Sequence, residues 1–179
     1  MTTDVRTNIA TFDAGDLENH LDELGELLRA CVLDGASIGF VLPFPREEAE
    51  QFWTTKVLPG VRAGTRVLLA AWIGERIAGS VQLDHGTMPN QPHRAEVAKL
   101  LVHPDFRRMG LAKALMAELE LHAGRLRRSL LTLDTRTGDR AEPLYTSLGY
   151  RTVGIIPGYC VDALDRARLD STTIMYKTL

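Results

Sequence analysis

The 179-residue sequence is poor in cysteine, in aromatic residues and in long apolar runs, and two of these shortages exclude whole classes of protein. Its two cysteines, Cys31 and Cys160, lie far apart and form no C-x-x-C pair, so neither a disulfide framework nor a zinc site is predicted. No apolar run approaches the roughly 20 residues that cross a bilayer, and the first residues lack the pattern of an export signal. We therefore expect a protein of the reducing cytoplasm with no membrane partner.

Neither sign of charge is in excess, because 21 Lys and Arg residues stand against 23 Asp and Glu residues, for a net charge of −2. A nucleic-acid-binding protein normally has a basic excess, so no nucleic-acid partner is expected, although a local basic patch over a small anion stays open. The five histidines show no metal-ligand spacing, and no metal is predicted. Without a Gly/Ser-rich linker or a repeat, residues 1–179 are interpreted as one domain.

Hydrophobic periodicity predicts an α/β chain in which an antiparallel first half leads into a β–α–β unit. The expected strands are 5–12, 66–73, 76–84, 95–104, 129–135, 150–156 and 172–178, and the expected helices are 16–33, 46–58, 108–123 and 139–148. Gly74 and Glu75 between the second and third strands are typical of a hairpin turn. This order predicts a central mixed sheet with helices on both faces.

The stretch LLVHPDFRRMGLAKALM, residues 100–116, predicts a strand, a loop and the beginning of a helix. The first N–H groups of a helix have no partners within it, and the helix dipole attracts anions to that end. Gly110 has no Cβ to keep a ligand away, and Arg107 and Arg108 add positive charge. This pattern favours a pyrophosphate site, while a simple turn glycine beside two solvated arginines is the alternative.

Arg107, Gly110 and Ala112 fit R-x-x-G-x-A, which resembles the acetyl-CoA signature of the GNAT superfamily of N-acetyltransferases. The segment LYTSLGY, residues 144–150, is similar to the Tyr-x-x-x-Gly-[Phe/Tyr] element of that superfamily. The resemblance implies a GNAT-like fold with acetyl-CoA as cosubstrate. It implies a cofactor site made of Leu101, Val102, Arg107, Arg108, Met109, Gly110, Leu111, Ala112 and Tyr145.

Segments along most of the chain resemble the tabtoxin-resistance branch of the superfamily, namely residues 35–40, 93–104, 130–135, 156–160 and 176–179. This resemblance implies acetylation of a small amine, with an amino-acid-like β-lactam toxin as the branch's substrate, and homodimers are common in the superfamily. Two features depart from the pattern. Gly138 stands where many members have an asparagine that contacts the cofactor, and residues 161–171 have no recognisable counterpart.

Three side chains are candidates for the chemistry of amide formation. An alkyl amine with a pKa of about 9 to 10.5 arrives protonated, so a base must remove a proton. Glu96 matches, by resemblance, a position that serves as general base in some acetyltransferases, and a strand carboxylate paired with Arg94 or Lys99 is the alternative. Asp134 ends a strand, where α/β sheets place ligand groups, but it could equally cap the turn that follows.

Tyr145, from the LYTSLGY element, is the candidate general acid for the departing thiolate, with a core tyrosine as the alternative. Backbone N–H groups near Leu101 and Val102 are expected to hold the acetyl carbonyl if the central strand bulges there. Two other functions stay open. One is acetylation of a protein lysine or N-terminus, and the other is a non-catalytic CoA-binding sensor.

Overall fold

The protein is described by a computed structural model over residues 8–179, so residues 5–7 of the predicted first strand lie outside the described part. Seven strands form one sheet in the order β1-β2-β3-β4-β5-β7-β6. The strands are β1 Asn8–Phe12, β2 Arg66–Ile73, β3 Arg76–Asp84, β4 Arg94–Val102, β5 Leu130–Arg136, β6 Arg151–Val161 and β7 Leu169–Thr178. The helices are α1 Ala14–Asn19, α2 Leu21–Leu33, α3 Arg46–Phe52, α4 Leu58–Arg62, α5 Leu111–Arg125 and α6 Ala141–Ser147.

The sheet is mixed, as the sequence predicts. Each of the strands β1 to β4 runs antiparallel to its neighbour, and β5, β7 and β6 form a second group of antiparallel neighbours. The two groups join through β4 and β5, which are parallel because α5 crosses between them. A cleft lies where these two groups of strands meet.

The sheet opens along the join between β4 and β5. The parallel pairing covers only Arg94–Glu96 against Leu130–Thr132 and then stops. On the other side of β4 the register with β3 shifts, because Ser80 pairs with Leu101 while Gln82 pairs with Ala98. Lys99 within this bulge has φ 50°, a left-handed backbone conformation. The carboxyl-terminal half of β4 is therefore free of β5, close to the position that the sequence predicts for the bulge.

Helices cover both faces of the sheet, which confirms the predicted architecture. On one face α5 buries a stripe of leucines and a methionine against strands β2 to β5, namely Leu111, Leu115, Met116 and Leu119. On the other face α1 to α4 bury Leu24, Leu28 and Trp53 against Leu68, Ala70 and Leu101. Each fully buried leucine contributes about 1.5–3 kcal/mol, so these two layers hold the helices on the sheet.

All four predicted helices have different boundaries in the structure, the one predicted at 139–148 only slightly, since α6 covers Ala141–Ser147. The helix predicted at 16–33 is divided at His20 into α1 and α2, and α1 starts with a capping box at Asp13. The helix predicted at 46–58 widens into a π turn at Trp53–Val57 before Pro59, whose ring crowds the carbonyl four residues earlier. The helix predicted at 108–123 begins later, at Leu111, after a short 3₁₀ turn. Within residues 8–179, none of the helices has the length and apolar character to cross a membrane.

Candidate active site

A cleft of about 650 Å³ opens where β4 separates from β5. Its walls come from the end of α2, the end of β4, the beginning of α5 and the residues between β5 and α6. The lining residues include Cys31, Asp34, Gly35, Leu100, Leu101, Val102, Phe106, Arg107, Arg108, Gly110, Leu111, Ala112, Lys113, Arg136, Arg140 and Leu144. The cleft therefore has both apolar side chains and several positively charged arginine and lysine side chains in its lining.

The loop between β4 and α5 forms one end of the cleft and presents backbone N–H groups to it. His103 accepts a hydrogen bond from Asp105 N at 3.2 Å and starts the 3₁₀ turn Pro104–Phe106. Arg108 and Gly110 then adopt left-handed backbone conformations, with φ 63° and φ 82°. Gly110 caps α5, and a Cβ placed on it would meet no protein atom within 4 Å. The free N–H groups at the start of α5 therefore border open space, as an anion site requires.

Arg107 forms an ion pair with Asp34, which ends α2 and also lines the cleft. Beside them the Cys31 thiol is directed at the carbonyl oxygen of Val102, with an Sγ to O distance of 3.5 Å. Burial raises the pKa of Cys31 to about 12, although Arg107 opposes that rise. The thiol therefore stays protonated at neutral pH and is unsuited to act as a nucleophile.

Most of the predicted cofactor residues meet in this cleft. Seven of them line it, namely Leu101, Val102, Arg107, Arg108, Gly110, Leu111 and Ala112. Met109 is an exposed residue that is not part of the lining. Tyr145 does not line the cleft either, although Ala141 and Leu144 of the same helix do.

Tyr145 lies in the core beneath the cleft, where it is 6% exposed. Its ring packs edge-to-face on Tyr150, with 5.7 Å between the ring centroids. Burial raises the pKa of the Tyr145 phenol above its ordinary value of 10.0, and the charges of Asp134 and Asp139 raise it further. The phenol therefore stays protonated over the whole neutral range.

Glu96 and Asp134 lie on the two strands that border the opening, and both are exposed. Glu96 is paired in register with Thr132, two residues before Asp134, so the two carboxylates point to the same face. Arg94 Nη1 lies 4.0 Å from Glu96 Oε2. Arg94 is one of the two ion-pair partners named in the alternative interpretation of Glu96. Asp134 accepts a hydrogen bond of 3.1 Å from Thr172 Oγ1 on β7, in place of the turn-capping contact that the sequence left open.

Comparison with known proteins decides what this arrangement belongs to. Residues 21–150 match the model of the acetyltransferase (GNAT) family. This chain is a member of the GNAT family. Its fold is similar to that of the Salmonella typhimurium protein yncA, assigned as an acetyltransferase and solved with its cofactor acetyl-CoA. That structure has 18% identity and a TM-score of 0.74, with 97% of this chain and 94% of that chain covered.

Two further solved structures have the same fold. An assigned acetyltransferase from Acinetobacter baylyi is 19% identical with a TM-score of 0.81, covering 100% of this chain and 95% of its own. A ribosomal-protein-alanine N-acetyltransferase from Brucella melitensis is 20% identical with a TM-score of 0.75, covering 96% of this chain and 99% of its own. At these identities the likeness establishes the GNAT fold and leaves the acceptor open.

Several residues that line the cleft were not predicted from the sequence. Asp34 was missed because it comes from a helix far away in the chain. Arg136 donates to Gly35 O at 3.1 Å and lies 3.0 Å from Asp139, so it ties the α2 side of the cleft to the β5 side. The sequence contained a signal for it, since Arg136 ends the strand that contains Asp134 and a second arginine, Arg140, follows four residues later.

Gly138 has a backbone reason to differ from the family pattern. Its φ of 77° favours glycine, and its N–H donates to Glu142 Oε2 at 2.7 Å. Glycine at this position has no side chain that could contact a ligand, unlike the asparagine of the family pattern. Across the part of the chain that the structure describes, no group of three or more His, Cys, Asp or Glu residues is placed to hold a metal.

Proposed function

We propose that this GNAT acetyltransferase moves the acetyl group of acetyl-CoA to the amine of a small molecule. The observation that carries this proposal is the cleft itself, which places the loop before α5, at Arg107 to Gly110, beside the free end of β4. Glu96 and Asp134 lie on the same two strands, outside the lining of the cleft. The residues fit the cosubstrate: the start of α5 and the arginines suit its pyrophosphate, and the freed half of β4 suits its amide-containing arm.

Acetyl-CoA supplies an activated acetyl thioester, and the chain supplies the rest of the chemistry. Glu96 or Asp134 accepts a proton from the incoming ammonium, directly or through a water molecule. Tyr145, on the helix whose Ala141 and Leu144 line the cleft, provides a proton to the departing sulfur. Its raised pKa keeps the phenol protonated at neutral pH and also makes it a weaker acid than a free phenol. Backbone N–H groups near Leu101 and Val102 polarise the acetyl carbonyl. Transfer is direct, with no acetylated side chain.

A small acceptor is supported by the contacts that fix the segment between α2 and α3. Leu42 N donates to Ala163 O, and Arg166 donates to Leu42 O, both at 2.9 Å. Ser37 Oγ lies 3.4 Å from Cys160 Sγ. These contacts join the segment between α2 and α3 to the β6–β7 hairpin, and we infer that a segment held in this way favours a small acceptor over a polypeptide. An amino-acid-like toxin, the substrate of the tabtoxin-resistance branch, is the acceptor that we favour.

Release of the CoA thiol tests this function. With acetyl-CoA and a panel of amino acids, simple amines and β-lactam amino acids, we expect a rise in free thiol that depends on the acceptor. Release only with peptides that present a free N-terminus or a lysine would instead support a protein acetyltransferase, the activity that the Brucella protein's name describes. Tight acetyl-CoA binding without release for any acceptor would support a sensor.

Substitution of the two carboxylates identifies the base. At pH 7 we expect Glu96→Gln or Asp134→Asn, whichever removes the base, to lower kcat by roughly tenfold, below the usual range for general bases. The effect is modest because both positions are exposed and solvent can take over the proton. Activity of that variant should therefore recover as the pH approaches the pKa of the amine. The other variant is the matched control, and a deficit that does not change with pH in either variant would contradict the role of base.

A further inference from the structure

Lys99 stands out among the residues that the mechanism does not use. It lies in the bulge of β4, and its φ of 50° is uncommon for a residue with a side chain. Such a conformation persists where the surrounding structure maintains it, often next to a functional site. Here it turns the side chain of Lys99 towards the face that contains α3 and the segment after α2.

The ammonium group of Lys99 lies beneath that segment. Its Nζ is 5.8 Å from the centroid of the Phe52 ring, and a Cβ placed on Gly39 would lie 3.8 Å from it. The residue is half-buried. Burial lowers the pKa of Lys99, the nearby Arg66 lowers it further, and the charges of Asp134 and Glu96 oppose this. The charges of both candidate bases thus act on this amine.

This cation has the Phe52 ring beside it but no carboxylate partner in the part of the chain that the structure describes. Over residues 8–179 the ion pairs within 4.0 Å include no carboxylate on Lys99, and its Nζ makes none of the side-chain hydrogen bonds found there. In that part of the chain, six side-chain N or O atoms are fully buried without a hydrogen-bond partner, and Lys99 Nζ is not one of them. Nζ therefore keeps contact with solvent. An ammonium that has no hydrogen-bond partner and keeps contact with solvent is suited to bind an anion.

We propose that Lys99 binds a carboxylate of the acceptor, so that the preferred acceptors carry a carboxylate as well as the reacting amine. Glu96 and Asp134 attract the ammonium of such an acceptor, while Lys99 attracts its other end, which matches the charges of an amino acid. This proposal rests on the function proposed above, and it makes Lys99 a specificity-determining residue.

Equilibrium binding provides a test that does not require turnover. Isothermal titration of the CoA-saturated protein would compare α-amino acids with their own carboxamides, which keep the amine and lose the carboxylate. For at least one pair we expect the acid to bind about tenfold more tightly than the amide. In Lys99→Met, which keeps an unbranched chain of similar length, this preference should disappear, and Lys99→Arg should restore most of it.

Thermal unfolding would show that each variant is folded, with Lys99→Gln as the substitute if the methionine variant is not. The proposal is overturned if no acid binds more tightly than its amide, or if the methionine variant weakens acids and amides equally. Thiol release in the same samples separates the two proposals. Thiol release without a preference for acids would support acetyl transfer and contradict the role of Lys99. A preference for acids that depends on Lys99, without thiol release, would support the role of Lys99 and contradict acetyl transfer.

Discussion

Replacing Gly110 with valine should weaken acetyl-CoA binding about a hundredfold or more, which corresponds to about 2.7 kcal/mol, in a protein that still folds. Gly110 lines the cleft, and a Cβ on it would meet no protein atom within 4 Å. The added branches would therefore project into the space that the pyrophosphate needs. Titration calorimetry with acetyl-CoA measures the change directly.

Gly74 offers a matched control for the backbone strain in this variant. It lies in the β2–β3 turn with φ 60°, and a Cβ there also meets no protein atom within 4 Å. Valine at a left-handed position costs about 1–2 kcal/mol of stability, so Gly74→Val and Gly110→Val should both lower Tm. Only Gly110→Val should weaken acetyl-CoA binding. If both variants bind acetyl-CoA as the wild type does, Gly110 is a turn glycine and the predicted anion site is wrong.

The loop around Gly110 could be predicted from the sequence because its determinants are local. A strand, a left-handed glycine and a helix start follow one another within a few residues, and Arg107 lies next to them. The hairpin at Gly74 was predictable for the same reason. The mixed sheet followed from the order of the elements, since a helix between two strands favours a parallel pair.

Features that depend on residues distant in the chain were not predictable in this way. The pairing of Asp34 with Arg107 needs α2 to lie beside the loop after β4. The left-handed conformation of Lys99 depends on a shift in register with β3. Likewise, a pattern of residues on α6 suggests a role for Tyr145 but does not give its depth in the core. These arrangements result from packing, and they decide the shape of the acceptor side.

Tyr145→Phe should lower kcat by about a hundredfold to a thousandfold, within the range for loss of a general acid, while the Kd for acetyl-CoA stays nearly unchanged. The ring should keep its place, because its packing on Tyr150 does not require the hydroxyl group. Stopped-flow measurement of thiol release under saturating acetyl-CoA isolates this step from binding.

The pH profile adds a second readout for Tyr145. Because burial raises its pKa above 10.0, the acid stays protonated while the base becomes active, so the rate should rise with pH without a fall below that value. Phenylalanine should lower the whole curve and leave its shape intact. Tyr150→Phe is the matched control, since it removes a phenol hydroxyl from the same aromatic pair. The Lys177 ammonium lies 5.7 Å from the centroid of the Tyr150 ring. Equal activity in both variants would mean that Tyr145 is a core residue and that water protonates the departing sulfur.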